Sequence, residues 1–240
     1  MIQLKYSFDS RVGYSELSSK GYMSAGAVID RFQDCGNFQS DSLGVGIEYL
    51  SEKKRVWILN SWQIVFDNKL KMGDNIKVCT WAYDFDKMFG YRNFMIEDEA
   101  GNKCVRAASR WVLVDTDKMR PVKVESSDVE MYGAEEKLDM DYSDRKIAVP
   151  KELEEEDRIK VRGYHIDTNG HMNNAWYVKI AMDYLEGDDI KSMRVEYKKA
   201  AVLNDIMKVK TVSADNGKTV VLCDEQDKVY SVIEFTFGNT

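Results

Sequence analysis

Both histidines of the chain lie in one polar stretch, Arg162-Gly-Tyr-His165-Ile-Asp167-Thr-Asn169-Gly-His171-Met-Asn173-Asn174. An acid, an amide and an imidazole stand at 167, 169 and 171. In an extended segment that spacing sends all three side chains to one side. An imidazole titrates near neutrality and serves as general base or acid. A carboxylate beside it orients the ring or aligns a water, and an amide donates to a developing oxyanion. Asparagine at 173 and 174 is suited to cap a helix. The first-turn N–H groups and dipole of such a helix favour negative charge. The segment thus holds the parts needed to attack a polarised carbonyl. The same residues also describe a plain capped loop with a surface histidine, and residue types alone leave both open.

The elements that position this stretch read as a duplication. Gly13-Tyr14 followed by Gly21-Tyr22-Met23-Ser24 parallels Gly163-Tyr164 followed by Gly170-His171-Met172-Asn173. Farther on, Gly73-Asp74 with Ile76-Lys77-Val78 parallels Asn204-Asp205 with Met207-Lys208-Val209. Each block shows a short strand, a loop, an amphipathic helix and a run of strands. Ala25, Val28, Ile29 and Phe32 share one helical face. So do Tyr177, Ile180, Ala181, Tyr184 and Leu185. Ile76, Val78, Thr80 and Ala82 alternate with Lys77, Cys79 and Trp81, and Val229 to Phe237 alternates likewise, as half-buried strands do. One helix with a many-stranded antiparallel sheet, twice over, is an α+β architecture.

Composition bounds the rest. The chain has 240 residues, 44% hydrophobic, with a formal charge of −7. That suffices for a sizeable core. The charge is concentrated: residues 125–157 hold 13 acidic and 4 basic side chains, whereas 1–124 carry a net +2 and 158–240 a net 0. The expected organisation is therefore an N-terminal repeat over 1–124, an acidic connector over 125–157 and a C-terminal repeat over 158–240. Met131, Tyr132, Leu138, Met140 and Tyr142 suit the connector to packing on a neighbour. Overall acidity disfavours nucleic acid. The longest apolar run is four residues, so no membrane span is expected. No secretory signal is visible, and four scattered cysteines fit reduced thiols in a cytoplasm.

Asp167-Thr-Asn169-Gly-His171-Met-Asn173-Asn174 resembles the D-x-N-x-H-x-N-N motif of the acyl-acyl-carrier-protein thioesterases of plants and bacteria. Trp57-Ile58-Leu59, Trp62 and Gly73-Asp74 resemble that family's first repeat, and Val195-Glu196-Tyr197-Lys198-Lys199 its second. The resemblance implies a double hotdog, two sheets each wrapped around one helix. It implies hydrolysis of a fatty acyl thioester on acyl carrier protein in fatty acid biosynthesis, with Asp167, Asn169 and His171 as the catalytic group. Neither a cofactor nor a metal is implied, and a homodimer is plausible by analogy. The family's Glu-Cys pair falls at Ala200 and Ala201, so neither that glutamate nor that cysteine is present. Glu196 is a candidate replacement, although structural duty is the simpler expectation. In the first repeat, Ser18, Lys20 and Tyr22 occupy the positions of the catalytic set, so one active site per chain is expected.

Trp57, Trp62, Trp81, Phe85, Met88 and Phe89 are candidates to line an acyl pocket, with plain core packing as the alternative for each. No G-x-S-x-G elbow and no phosphate-binding glycine motif occurs, which disfavours a serine hydrolase or nucleotide binding. Two other functions stay open at this stage. One is a hotdog enoyl-thioester hydratase, whose D-x-N-P-x-H loop is superficially similar. The other is a non-catalytic acyl-chain binding protein.

Overall fold

The computed structural model describes residues 4–186 and 189–238. The chain divides into two compact units, Met1–Asn60 with Phe66–Tyr142, and Ser61–Val65 with Ser143–Thr240. Unit 1 runs β1 (Tyr6–Arg11), a 3-10 turn (Tyr14–Glu16), α1 (Ala25–Ser42), α2 (Ile47–Glu52), β2 (Arg55–Phe66), β3 (Asn75–Asp86), β4 (Phe89–Asp98), β5 (Lys103–Asp115), β6 (Arg120–Pro121) and α3 (Ser126–Tyr132). Its strands are ordered β1-β3-β4-β5-β2, with β6 beside β5. Unit 2 runs β7 (Glu154–Lys160), a 3-10 turn (Gly163–His165), α4 (Asn174–Met182), β8 (Ile190–Tyr197), β9 (Ile206–Ala214), β10 (Gly217–Cys223) and β11 (Val229–Phe237). The Ser61–Val65 part of β2 pairs with β8, and the order continues β8-β11-β10-β9-β7, every pair antiparallel.

The helices form where the apolar spacing places them. Ser24 caps α1, its Oγ accepting from Ala27 N–H at 3.2 Å. Ala25, Val28, Ile29 and Phe32 are all buried. Burying one such large apolar side chain contributes about 1.5–3 kcal/mol. Asn173 caps α4 through Ala175 N–H at 2.9 Å, and Tyr177, Ile180 and Ala181 are buried. This second helix is shorter than the spacing predicts. After Met182 the chain tightens into turns, with Tyr184 N–H on Ala181 O and Leu185 N–H on Met182 O, so Tyr184 and Leu185 fall outside the helix.

The duplication is visible bond by bond. In unit 1, Leu17 bridges Met23, Ser18 N–H donates to Tyr22 O at 2.7 Å and Gly21 N–H to Ser18 O at 3.0 Å. In unit 2, Ile166 bridges Met172, Asp167 N–H donates to His171 O at 2.8 Å and Gly170 N–H to Asp167 O at 3.1 Å. Gly21 and Gly170 take φ of 79° and 76°, the left-handed region that glycine enters without a Cβ penalty. The second sequence parallel has the same kind of cause: Gly73 and Asn204 sit at φ 89° and 72°. Just after them, Asp74 and Asp205 accept from the backbone N–H groups of Lys71 and Val202.

The acidic segment begins in a helix and ends in a strand, with residues 133–153 between them in neither. Its first part forms α3, with Tyr132 buried against Val45 and Ala82. Leu138 and Met140 then cover Cys79, Trp81 and Met95, which is why β3 is buried on both faces over Cys79–Ala82 instead of alternating. A buried asparagine holds this cover in place. Asn93 Oδ1 accepts from Leu138 N–H at 3.0 Å and from Tyr142 O–H at 3.1 Å, while its Nδ2 donates to Ala107 O. The Glu154–Asp157 end is the exposed edge strand β7, where charge discourages pairing with a further strand. Asn93→Ala should cost about 1–3 kcal/mol, since it strands the buried Leu138 N–H, while the Tyr142 hydroxyl keeps Leu138 O as an acceptor at 3.0 Å. Urea unfolding measures the loss, and faster proteolysis within 133–142 locates it.

Candidate active site

Asp167 organises the polar stretch. Its Oδ1 accepts from the N–H groups of Asn169 at 2.8 Å and His171 at 3.3 Å. Together with the Asp167–His171 and Asp167–Gly170 backbone bonds, this closes a tight turn. The extended arrangement expected from the spacing of two is therefore not what forms. Gly170 folds the chain back, placing Asn169 at the exposed tip while Asp167 and His171 are half-buried at its two ends. In unit 1 the Ser18 Oγ plays the same part toward Lys20 N–H, at 3.4 Å.

Below the turn the chain enters α4 directly. Asn173 N–H donates to His165 O at 2.9 Å. His165 is buried, and its Nδ1 accepts from Arg162 N–H at 3.1 Å, which leaves the proton on Nε2. The ring sits 4.3 Å from Tyr164 and 4.8 Å from Trp176, centroid to centroid. Burial, and then the Arg162 charge, lower its pKa. His165 is thus a structural residue that holds the entry to the turn, as Glu16 does in unit 1 by accepting from Gly13 N–H at 2.6 Å. His171, by contrast, is half-buried at the end of the turn.

The far wall of the turn is the segment after β8. Met172 N–H donates to Ala201 O at 2.9 Å, and Ala201 N–H donates to Tyr177 Oη at 2.8 Å. Burial pushes the Tyr177 phenol up to about 12, so it stays neutral. Tyr177 packs edge-on against Tyr197, whose O–H donates to Asn174 O at 3.0 Å. Ala201 is fully buried, so the small side chain at this position serves packing against the turn. The helical spacing found Tyr177 as a core residue. Its phenol's second duty, anchoring 201 against the turn, leaves no mark in the sequence.

Glu196 is not brought to the turn, which corrects its candidacy. Neighbouring residues on a strand face opposite ways. Tyr197 faces α4, so Glu196 faces away, where its carboxylate accepts from Ile147 N–H at 3.1 Å and pairs with Lys198 at 3.2 Å. It anchors the acidic segment in unit 2 as Asn93 does in unit 1. The aromatic candidates divide in the same manner. Trp57 and Phe85, 6.5 Å apart, pack over Gly90 on the helix-facing side of unit 1. Trp81 lies on the opposite face, its Nε1–H donating to Glu136 O at 2.8 Å. Phe89 is also on that face, under the Arg110 guanidinium at 3.5 Å. Met88 is in the β3–β4 turn. Trp62 is buried in unit 2, opposite Val195. Among the described residues, no three His, Cys, Asp or Glu side chains are grouped to hold a metal ion.

Two outcomes follow from this geometry. Asp167→Ala should open the turn and lower both activity and stability, the latter by about 1–2 kcal/mol. Asp167→Asn, which keeps an acceptor oxygen, should retain most of the stability; thermal unfolding of the two variants reads the difference. His165 has a folded pKa below its unfolded value of about 6.5. The unfolded chain therefore binds the extra proton first, and stability is full above that pH and falls as pH drops below it. His165→Asn, which keeps an acceptor for Arg162 N–H, should flatten that slope in unfolding measured between about pH 7 and 5.

Comparisons with known proteins agree on what the chain is. The family described as acyl-ACP thioesterase N-terminal domain matches residues 3–132, and its C-terminal domain matches 149–234. A palmitoyl-acyl carrier protein thioesterase of Arabidopsis thaliana is 24% identical over 160 residues, covering 62% of this chain and 39% of that protein. The chain thus spans well under half of that curated relative. A crystal structure of an acyl-ACP thioesterase from Bacteroides thetaiotaomicron aligns with TM-score 0.90 at 19% identity, over 98% of both chains. A 12:0-ACP thioesterase from Umbellularia californica aligns with TM-score 0.84 at 18% identity, over 100% of this chain and 99% of that one. At these identities the solved structures establish the fold, an α+β hotdog type with large antiparallel sheets and few helices. The two domain matches cover nearly the whole sequence, and the chain belongs to the acyl-ACP thioesterase family.

Proposed function

We propose that the chain hydrolyses the thioester joining a fatty acyl group to the phosphopantetheine arm of acyl carrier protein, releasing free fatty acid, at the Asp167–His171 turn. The observation that carries this is the contrast between two turns with the same backbone wiring. One presents Asp167, Asn169 and His171, and the other presents Ser18, Lys20 and Tyr22.

His171 takes a proton from water as the water oxygen adds to the thioester carbonyl carbon. Charge gathers on the carbonyl oxygen, where Asn169 and first-turn N–H groups of α4 stabilise it. The C–S bond then breaks and the thiol takes up the proton. A free thiol has a pKa of about 8.5, so it leaves readily and no covalent nucleophile is required. Asp167 holds the turn and keeps His171 at its end. Of the aromatic candidates, Trp57 and Phe85 are the pair we assign to the acyl chain. Ala200 and Ala201 supply no reacting group. The four free, buried thiols fit a reducing, cytoplasmic setting, and among the described residues no helix is long and apolar enough to cross a membrane.

The test is thiol release from a chain-length series of acyl thioesters, on acyl carrier protein and on coenzyme A in parallel. Release from the carrier protein should be faster, and should weaken with ionic strength more than release from a small thioester. Hydration of a crotonyl thioester without thiol release would assign the fold to the hydratase chemistry. Tight acyl binding without turnover would make it a binding protein.

A further inference from the structure

Unit 1 contains a cation on its helix-facing side that no carboxylate among the described residues neutralises. Along β4, Gly90, Arg92 and Phe94 share that side. Gly90 lies under Trp57 and Phe85, and Phe94 packs on Phe32 of α1 at 5.1 Å. Arg92 stands between them. Its Nη2 donates to Gln39 Oε1 of α1 and, at 3.4 Å, to Thr80 Oγ1. The guanidinium carbon lies 5.6 Å from the Tyr132 ring and 5.8 Å from the Phe94 ring. Its Nε is enclosed without a hydrogen-bond partner. The two titratable groups that bear on it, Tyr132 and Cys35, stay neutral at pH 7, since burial raises both. An uncompensated guanidinium in such surroundings is expensive. Arg92 as a whole residue is half-buried.

The surroundings say what would reach it. Trp57 and Phe85 lie 6.5 Å apart, Phe85 and Tyr132 6.2 Å apart, and the Tyr132 ring lies 5.6 Å from the Arg92 guanidinium carbon. An aromatic run therefore ends on an under-satisfied cation. We propose that this run binds an acyl chain carrying an oxygen substituent, a hydroxyl or a carboxylate, with the aromatics holding the hydrocarbon and Arg92 reading the oxygen. Arg92 is then a specificity-determining residue. The proposal rests on the thioesterase reading for the identity of the ligand, and a binding arm tests it apart from that reading.

The probes are the C1 methyl esters of lauric acid, ω-hydroxylauric acid and the ω-carboxy analogue in calorimetry, so that no C1 carboxylate competes for Arg92, and the matching thioesters of acyl carrier protein in turnover. The full chain should bind and hydrolyse the oxygenated compounds about tenfold better than lauroyl. Arg92→Met should bring that ratio to one or below, and Arg92→Lys should keep part of it. Thermal unfolding checks that the variants are folded. Should Arg92→Met not fold, the unsubstituted chain and Arg92→Lys decide the matter by calorimetry. Equal binding of the three esters by the unsubstituted chain overturns the proposal, as does an oxygen preference unchanged in folded Arg92→Met. An Arg92-dependent preference in binding with no turnover of any thioester supports the site and rejects the hydrolase reading instead.

Discussion

A helix packed against a sheet must begin somewhere, and its first N–H groups need partners. Both repeats meet this constraint with one device. A residue with a short acceptor side chain opens a turn, bonds back to the turn's own N–H groups, and hands the chain to a capped helix one residue after the turn closes. Ser18 and Ser24 do this in unit 1, Asp167 and Asn173 in unit 2. The turn in unit 2 thus exists for structural reasons before any chemistry is asked of it. On the proposed mechanism, function enters by the choice of side chains on a scaffold already paired: Asn169 where unit 1 has Lys20, and His171 where it has Tyr22.

The two histidines show how little separates structure from chemistry here. They are six residues apart in sequence. His165 is committed: its Nδ1 accepts a backbone N–H, its ring lies edge-on to Tyr164 and tilted against Trp176, and burial opposes its protonation. His171 contributes its backbone to the turn and leaves its ring at the turn's end. Asp167 works in the same direction, since one carboxylate oxygen is occupied by N–H groups and fixes where the imidazole stands. The acidic segment has a comparable double nature. It is solvated along β7, yet pinned by Asn93 in unit 1 and by Glu196 in unit 2, and that pinning buries outer sheet faces that would otherwise be wet.

Much of this was legible in the sequence, for identifiable reasons. The apolar spacing of Ala25, Val28, Ile29 and Phe32 and the cap at Asn173 depend only on local chemistry. The parallel of Gly73 with Asn204 was readable because few residues tolerate a positive φ. What failed depends on which side of a sheet a residue faces once distant chain covers it. Trp81 and Phe89 face away from the helix, and Glu196 faces the acidic segment, because alternation says which residues share a face but not which face is inner. The spacing of 167, 169 and 171 suggested alignment until Gly170 reversed the chain. Arg92 was invisible for the converse reason: an arginine within a strand reads as a solvent-facing residue.

On the proposed mechanism, one turn per chain carries the chemistry, through His171. Its most direct test is the rate of thiol release from acyl-carrier-protein thioesters by His171→Ala. The rate should fall about 10²–10⁴-fold with unfolding little changed, because the backbone bonds of the turn do not use the imidazole. A folded His171→Ala protein that releases thiol within about twofold of the unsubstituted rate, a difference far below that of a lost general base, would contradict it.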